Sequence, residues 1–234
     1  MRLSILIPAY NERQTIAAVL SAVGAALPAV EKEIIVVDDC STDGTGAFLQ
    51  ELFAAAPPSG VSYRLISHGR NRGKGAALRT AMDAVTGDIV VIQDADLEYD
   101  PQDWTQMYNL IAERKVADVV YGSRFYGRPH RSLFYHHFLA NKLISVLFNI
   151  LYNQTLTDIE VCYKMFTREV LNSLRLTCDD FGIEVEITAQ ISLNRKLRIY
   201  ETGISYYGRT YAEGKKIDWR DGLKALWYIL KFRF

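Results

Sequence analysis

Short apolar runs alternate with segments of helical periodicity through the first half of the chain, and this rhythm restricts the fold more than any other feature. Residues 3–7, 33–37, 63–66, 89–92 and 119–121 read as strands. Between them lie residues 12–27, with Ile16, Val19, Leu20 and Val23 at helical spacing, then 43–55, closed by Pro57-Pro58, and 75–85, stopped by Gly87. Asp100-Pro101 predicts a helix start, with an Asp cap and proline in the first turn. Such alternation predicts an α/β, Rossmann-like, mainly parallel sheet joined by right-handed crossovers, with helices on both faces. In such sheets, ligands bind beyond the carboxyl ends of the strands.

Those ends carry the unusual polar residues. Tyr10-Asn11-Glu12 follows the first strand, Asp38-Asp39 the second, Asp94 and Asp96 the fourth, and Gly122-Ser123-Arg124 the fifth. Helix capping accounts for one such position more easily than for the set. In extended chain, residues i and i+2 point the same way, so Asp94 and Asp96 set two carboxylates side by side. Two anions that close call for a cation. An oxygen-only set favours Mg²⁺ or Mn²⁺, which completes its shell with phosphate and water. Glu98 is a candidate third ligand. The segment Asn71-Arg72-Gly73-Lys74-Gly75 fits neither a P-loop nor a dinucleotide fingerprint: Gly69 and Gly73 enclose three residues, and Gly75 replaces the required Ser or Thr. It reads as a basic, closely packed helix start suited to phosphate.

At 234 residues the chain matches one large domain, residues 1–234. Lys plus Arg and Asp plus Glu both total 27, and this balance argues against nucleic acid as a partner. Cys40, Cys162 and Cys178 form no paired framework, which favours a reducing, cytoplasmic setting. No leader is expected before residue 3, and no apolar run reaches the length of a membrane span. Residues 133–152 and 221–232 instead read as amphipathic helices, the latter followed by Lys231-Phe232-Arg233-Phe234 at the chain end. Residues 163–166 and 197–205 read as further strands, and 182–193 as a helix.

The motifs Pro8-Ala9-Tyr10-Asn11-Glu12, Val37-Asp38-Asp39-Cys40-Ser41-Thr42-Asp43-Gly44-Thr45, Asn71-Arg72-Gly73-Lys74-Gly75-Ala76-Ala77-Leu78 and Gln93-Asp94-Ala95-Asp96-Leu97-Glu98 together resemble family 2 glycosyltransferases of the GT-A fold. The subgroup resembled is the polyprenyl-phosphate hexosyltransferases. The likeness continues through Gly122-Ser123-Arg124, Asn141-Lys142, Thr157-Asp158, Tyr163-Lys164 and Arg209 … Gly214-Lys215-Lys216. The resemblance implies a nucleotide-sugar-binding half, residues 1–125, and an acceptor- and membrane-facing half, residues 126–234. Pro8, Tyr10, Glu12, Val37 and Asp39 would hold the nucleoside of a GDP- or UDP-linked sugar. Asp94, Ala95 and Asp96 would hold the metal and diphosphate with Glu98, which stands where relatives often have Gln. Arg209 and Lys215 would close over the diphosphate from a lid, residues 208–216. Arg124 and Arg131 would meet the acceptor phosphate.

The activity implied is metal-dependent, inverting transfer of a hexose to a polyprenyl phosphate on the inner face of the membrane, with the protein peripheral or held by an anchoring partner. A phosphate monoester is mostly ionised at neutral pH and needs no general base. A hydroxyl acceptor (lipid, saccharide or protein) needs one, for which Asp158 and Glu184 are the candidates. Asp94, Asp96, Arg124 and Asp158 are the catalytic set. A third reading, a nucleotide-sugar-binding partner without catalysis, is disfavoured by the intact acidic pair, Arg124 and Lys215. His136 and His137 are adjacent and diverge on a helix, which suits a headgroup-level position better than a metal.

Overall fold

The computed structural model describes residues 1–127, 129–132, 134–210 and 219–234. Seven strands form one sheet: β1 (Leu3–Ala9), β2 (Lys32–Asp38), β3 (Val61–Ser67), β4 (Ile89–Ile92), β5 (Val119–Ser123), β6 (Lys164–Thr167) and β7 (Ile199–Gly203). Their spatial order is β3-β2-β1-β4-β6-β5-β7. All neighbours pair parallel except β6, which runs antiparallel to both β4 and β5. Helices α1 (Ile16–Ala25), α2 (Thr45–Ala54), α3 (Lys74–Asp83), α4 (Trp104–Tyr108), α5 (Tyr135–Tyr152), α6 (Arg168–Ser173), α7 (Ile183–Leu193) and α8 (Trp219–Lys231) flank it.

The central strands explain their own position. Every residue of β2 and β4 is buried, as expected where helices cover both faces of a parallel sheet. β3 is only half-buried and forms an edge, where Tyr63 stacks on Phe53 at 4.4 Å. From β1 the chain steps outward through β2 to β3, then returns to place β4 on the other side of β1. The strand order therefore reverses between β1 and β4, which is where a ligand crevice opens.

The expected helices form, with adjusted ends. α1 buries Ile16, Val19, Leu20 and Val23, the four residues whose spacing predicts it. It starts at Ile16 rather than residue 12 because residues 12–15 make a turn, closed by Ile16 N–H donating to the Glu12 carbonyl at 2.9 Å. Asp100 caps the next helix, accepting from the Gln102 amide at 3.0 Å. That helix opens as a 3₁₀ turn, continues as α4 and widens to a π-turn over Asn109–Glu113. Residues 197–205 hold one strand, not two: β7 ends at Gly203, and beyond it Tyr206 makes isolated bridges to Tyr99 and His130. The short α6 and the antiparallel insertion of β6 carry no signal in the sequence.

Candidate functional site

The ends of β1, β2 and β4 meet at one rim because the strands are in register: Ala9 pairs with Asp38, and Leu6 with Ile92. The loops beyond them are clipped together. Asn11 adopts a left-handed conformation (φ +55°), and its side-chain oxygen accepts from the Thr42 amide at 2.8 Å. The Glu12 amide donates to Thr45 Oγ1 at 3.0 Å, and Thr15 Oγ1 donates to both Glu12 Oε2 and the Ala95 carbonyl at 2.8 Å. Thus the β1, β2 and β4 loops form one fixed edge of a cavity of about 870 Å³.

Asp39 is buried and organises the third loop. Its carboxylate accepts from the backbone amides of Arg72 (2.9 Å) and Gly73 (2.7 Å) and lies 2.6 Å from His68 Nδ1. Gly73 sits at φ +94°, and a Cβ there would lie 2.3 Å from the Asp179 carbonyl oxygen; one at Gly75 would lie 2.4 Å from that of Cys178. Both glycines are thus explained by close packing. The Ala76 amide near the start of α3 donates to Asp179 O at 3.2 Å, tying this helix end to the 178–180 segment. What reaches the cavity is the Lys74 side chain. It pairs with Asp94 at 2.7 Å and with Glu184 at 3.0 Å, and Glu184 in turn pairs with the fully buried Lys164.

Asp94, Ala95 and Asp96 line the same cavity. Burial, then the charges of Asp94 and Glu98, push the Asp96 carboxyl up to about 7. Arg209 bridges the pair from the opposite side, with Nη2 2.6 Å from Asp96 Oδ2 and Nε 3.2 Å from Glu98 Oε1. Glu98 also accepts from the Arg209 amide (2.8 Å) and the Tyr206 hydroxyl (3.1 Å). Among the described residues no three His, Cys, Asp or Glu side chains converge as a ligand set. All three carboxylates have cationic partners, Asp94 in Lys74 and Asp96 and Glu98 in Arg209, and Glu98 also takes the Tyr206 hydroxyl. Asp94 and Asp96 are hard-oxygen groups on one cavity wall, and the burial that chiefly raises the Asp96 carboxyl, with the charges of Asp94 and Glu98 beside it, fits a divalent ion.

Arg124 directly follows β5 and lines the same cavity. Its guanidinium makes two parallel bonds to Asp158, Nε to Oδ2 and Nη2 to Oδ1, each 2.7 Å. It also packs over the Tyr206 ring at 5.2 Å. Burial pulls its pKa down, but the Asp158 carboxylate more than offsets this and holds it well above the ordinary value. Asp158 is 1% exposed with both oxygens taken by Arg124, so it positions that arginine and is not a free base. Glu184, held between two lysines, is no freer.

Of the other expected residues, Pro8, Tyr10, Glu12 and Asp39 line the cavity. Val37, fully buried in β2, does not, and neither does Arg131, whose Nη1 donates to the Gly208 carbonyl at 3.2 Å. Lys215 and most of the expected 208–216 lid lie outside the described residues. His136 and His137 both line the cavity. Lys74, read in sequence only as part of a basic helix start, also lines it, as do Tyr206 and Glu160, which were not expected there.

Residues of α5 and α8 line part of the cavity. α5 buries Ile144, Phe148 and Tyr152, while Leu139, Leu143, Val146 and Ile150 remain 43–73% exposed. At 100° per residue those four fall within about 60° of arc on the opposite face. Leu223, Trp227 and Leu230 make a matching exposed stripe on α8. No described helix is long and apolar enough to cross a membrane.

A family model described as Glycosyl transferase family 2 matches residues 4–175. The chain is 31% identical over 223 residues to glycosyltransferase AglJ of Haloferax volcanii, covering 93% of this chain and 67% of that one. It is 27% identical to the dolichol-phosphate mannosyltransferase of Pyrococcus furiosus, of which it spans 64% while 99% of the chain is covered. It is 29% identical to the undecaprenyl-phosphate mannosyltransferase of Micrococcus luteus, covering 92% and 87%. In fold it is similar to glucosyl-3-phosphoglycerate synthase of Mycobacterium tuberculosis, solved with Mn²⁺, UDP-glucose and phosphoglyceric acid, with a TM-score of 0.74, 20% identity and coverage of 99% and 79%.

Proposed function

The chain belongs to glycosyl transferase family 2 and is a glycosyltransferase; from that premise we propose that it moves a hexose from a nucleotide sugar to a polyprenyl phosphate at a membrane surface. The observation that carries this reading is one cavity lined by the Asp94–Asp96 pair with its cations Lys74 and Arg209 and also by the Arg124 guanidinium, with exposed apolar stripes on α5 and α8 beside it. The relatives' names, dolichol- and undecaprenyl-phosphate mannosyltransferase, support the acceptor class.

Tyr10, Glu12 and Asp39 take the nucleoside, GDP- or UDP-linked. Asp94 and Asp96 hold Mg²⁺ or Mn²⁺, which when bound neutralises the charge developing on the departing diphosphate. Arg209 exchanges its carboxylate partners for that diphosphate, and Lys215 joins it. Arg124, fixed by Asp158, orients the acceptor phosphate. A phosphate oxygen attacks the anomeric carbon as the bond to the nucleoside diphosphate breaks, inverting the configuration. Asp158 and Glu184, the two base candidates named for a hydroxyl acceptor, are both engaged by cations, whereas an acceptor that is already ionised needs neither. α5 and α8 lie against the lipid surface, their apolar stripes inward and Lys224, Lys231 and Arg233 at the headgroups. The chain acts as one domain across residues 1–234.

The test supplies UDP-glucose or GDP-mannose, labelled in the sugar, with vesicles containing undecaprenyl phosphate, with Mn²⁺ or with EDTA. The reading expects label in the organic extract, labile to mild acid, only when cation is present. Label appearing instead in an acid-stable product would replace the phosphate acceptor with a hydroxyl one.

A further inference from the structure

Glu160 lies in the segment between α5 and β6, two residues beyond Asp158, and lines the cavity. Its carboxyl is close enough to feel the charges of Arg124, Asp158, Lys164 and Glu184. It accepts no hydrogen bond from any described residue. The cations around it are committed elsewhere: Arg124 to Asp158, Lys164 to Glu184, and Lys74 to Asp94 and Glu184. The side chain is half-buried and lines the cavity, so its carboxyl is open to a ligand bound there.

The cavity limits what that ligand is. Phosphate is favoured beside Lys74, Arg209 or Arg124, and a carboxyl on the same wall disfavours an anion at its own position. The hexose, which lies between the donor diphosphate and the acceptor phosphate in the transfer, is the uncharged part of the substrates. It presents hydroxyl groups, which both donate and accept.

We infer that Glu160 forms a donor-sugar subsite, its carboxyl hydrogen-bonding hydroxyls of the hexose and so selecting the transferred sugar. The inference rests on the reading of the cavity as a nucleotide-sugar site. Its chemistry is matched: burial, opposed by the charge of Arg124, pushes the carboxyl up to about 7, so near neutrality the group serves as donor and acceptor alike. Lysine or arginine in its place would attract phosphate instead. A site built to hydrogen-bond a hydroxyl rejects the analogue lacking it, because the protein group is then left unpaired.

Calorimetric titration with Mn²⁺ present compares UDP with UDP-glucose and GDP with GDP-mannose, on wild type, E160A and E160Q. For the pair that wild type binds, E160A weakens the nucleotide sugar roughly tenfold and the free nucleoside diphosphate less than about twofold. E160Q, an amide that also donates and accepts, stays within about threefold of wild type for both. Mono-deoxy forms of the same sugar supply a measurement that needs no variant: one of them loses about tenfold on wild type. On E160A that loss disappears. Equal weakening of sugar and sugar-free ligand, no weakening of either, or a fall in kcat with E160Q at unchanged donor affinity would each overturn the subsite. Failure of wild type to bind any of the four nucleotides overturns the cavity reading itself, and the subsite with it.

Discussion

Arg124 shows how one residue's role is decided by what holds it. Two parallel bonds from Asp158 fix the guanidinium, and Tyr206 covers its face. Arg124→Ala is expected to lower transfer to polyprenyl phosphate by roughly a hundredfold while leaving nucleotide affinity intact, measured by turnover beside titration with the nucleoside diphosphate. Asp158→Asn acts through the arginine, so adding it to Arg124→Ala costs little more, a non-additivity that a double-mutant cycle reads directly. An Asp158 acting independently as base would instead give multiplying losses. Asp96 makes a different prediction. Its carboxyl, pushed up to about 7, keeps its proton in the folded protein while the unfolded chain loses it near 3.8. Between those values the folded state binds more protons, so its stability falls as pH rises and reaches its low plateau above about 7. Without cation, the Tm of the protein declines from pH 5 to pH 8. Asp96→Asn removes part of that decline and raises Tm at pH 8, by about 2–4 °C for each kcal/mol recovered. An unchanged profile in the variant would mean that the carboxyl is not the group responsible. The acidic pair and Arg124 were legible in sequence because they follow apolar runs directly; Lys74 was legible only as part of a basic helix start, since its partners Asp94 and Glu184 lie on other elements, and Glu160 sits in no motif that marks it.

At the scale of elements, the start of α3 and the paired stripes of α5 and α8 carry the predictions. Gly73 combines a left-handed φ of +94° with a Cβ position 2.3 Å from a backbone oxygen. Gly73→Ala is therefore expected to destabilise by about 1–3 kcal/mol, seen as a lower denaturant midpoint, because neither the backbone nor the 178–180 segment yields easily. A midpoint equal to wild type would contradict that close approach. The stripes behave oppositely. Leu143 and Ile150 are 60% and 73% exposed, so Leu143→Ser with Ile150→Ser leaves Tm nearly unchanged. The same pair weakens sedimentation with vesicles, since about 1.5–3 kcal/mol of apolar burial is forfeited per side chain with no charge added. Retained vesicle binding would move the membrane face elsewhere. Periodicity found α5 and α8 as amphipathic helices, yet an apolar stripe by itself does not say whether a core or a lipid surface covers it. Only the packing of Ile144, Phe148 and Tyr152 on α5 and of Ala225 and Ile229 on α8 showed which apolar residues were left exposed.

For the whole molecule, the alternation of buried runs and amphipathic helices in residues 3–121 determined a parallel α/β sheet, since right-handed crossovers leave few other ways to bury both faces. It also determined that Asp39, Asp94 and Arg124 stand at strand ends, because a strand's end is a local property. The tertiary structure alone decided that β6 enters antiparallel between β4 and β5, that Arg209 returns from beyond β7 to Asp96, and that Lys74, Glu184 and Lys164 form one buried charge chain from α3 through α7 to β6. These pairings join residues 20 to 113 positions apart. Their partners are chosen by the low dielectric of a shared cavity, where an unpaired charge is costly, and no local pattern in a chain records which distant charge will arrive there.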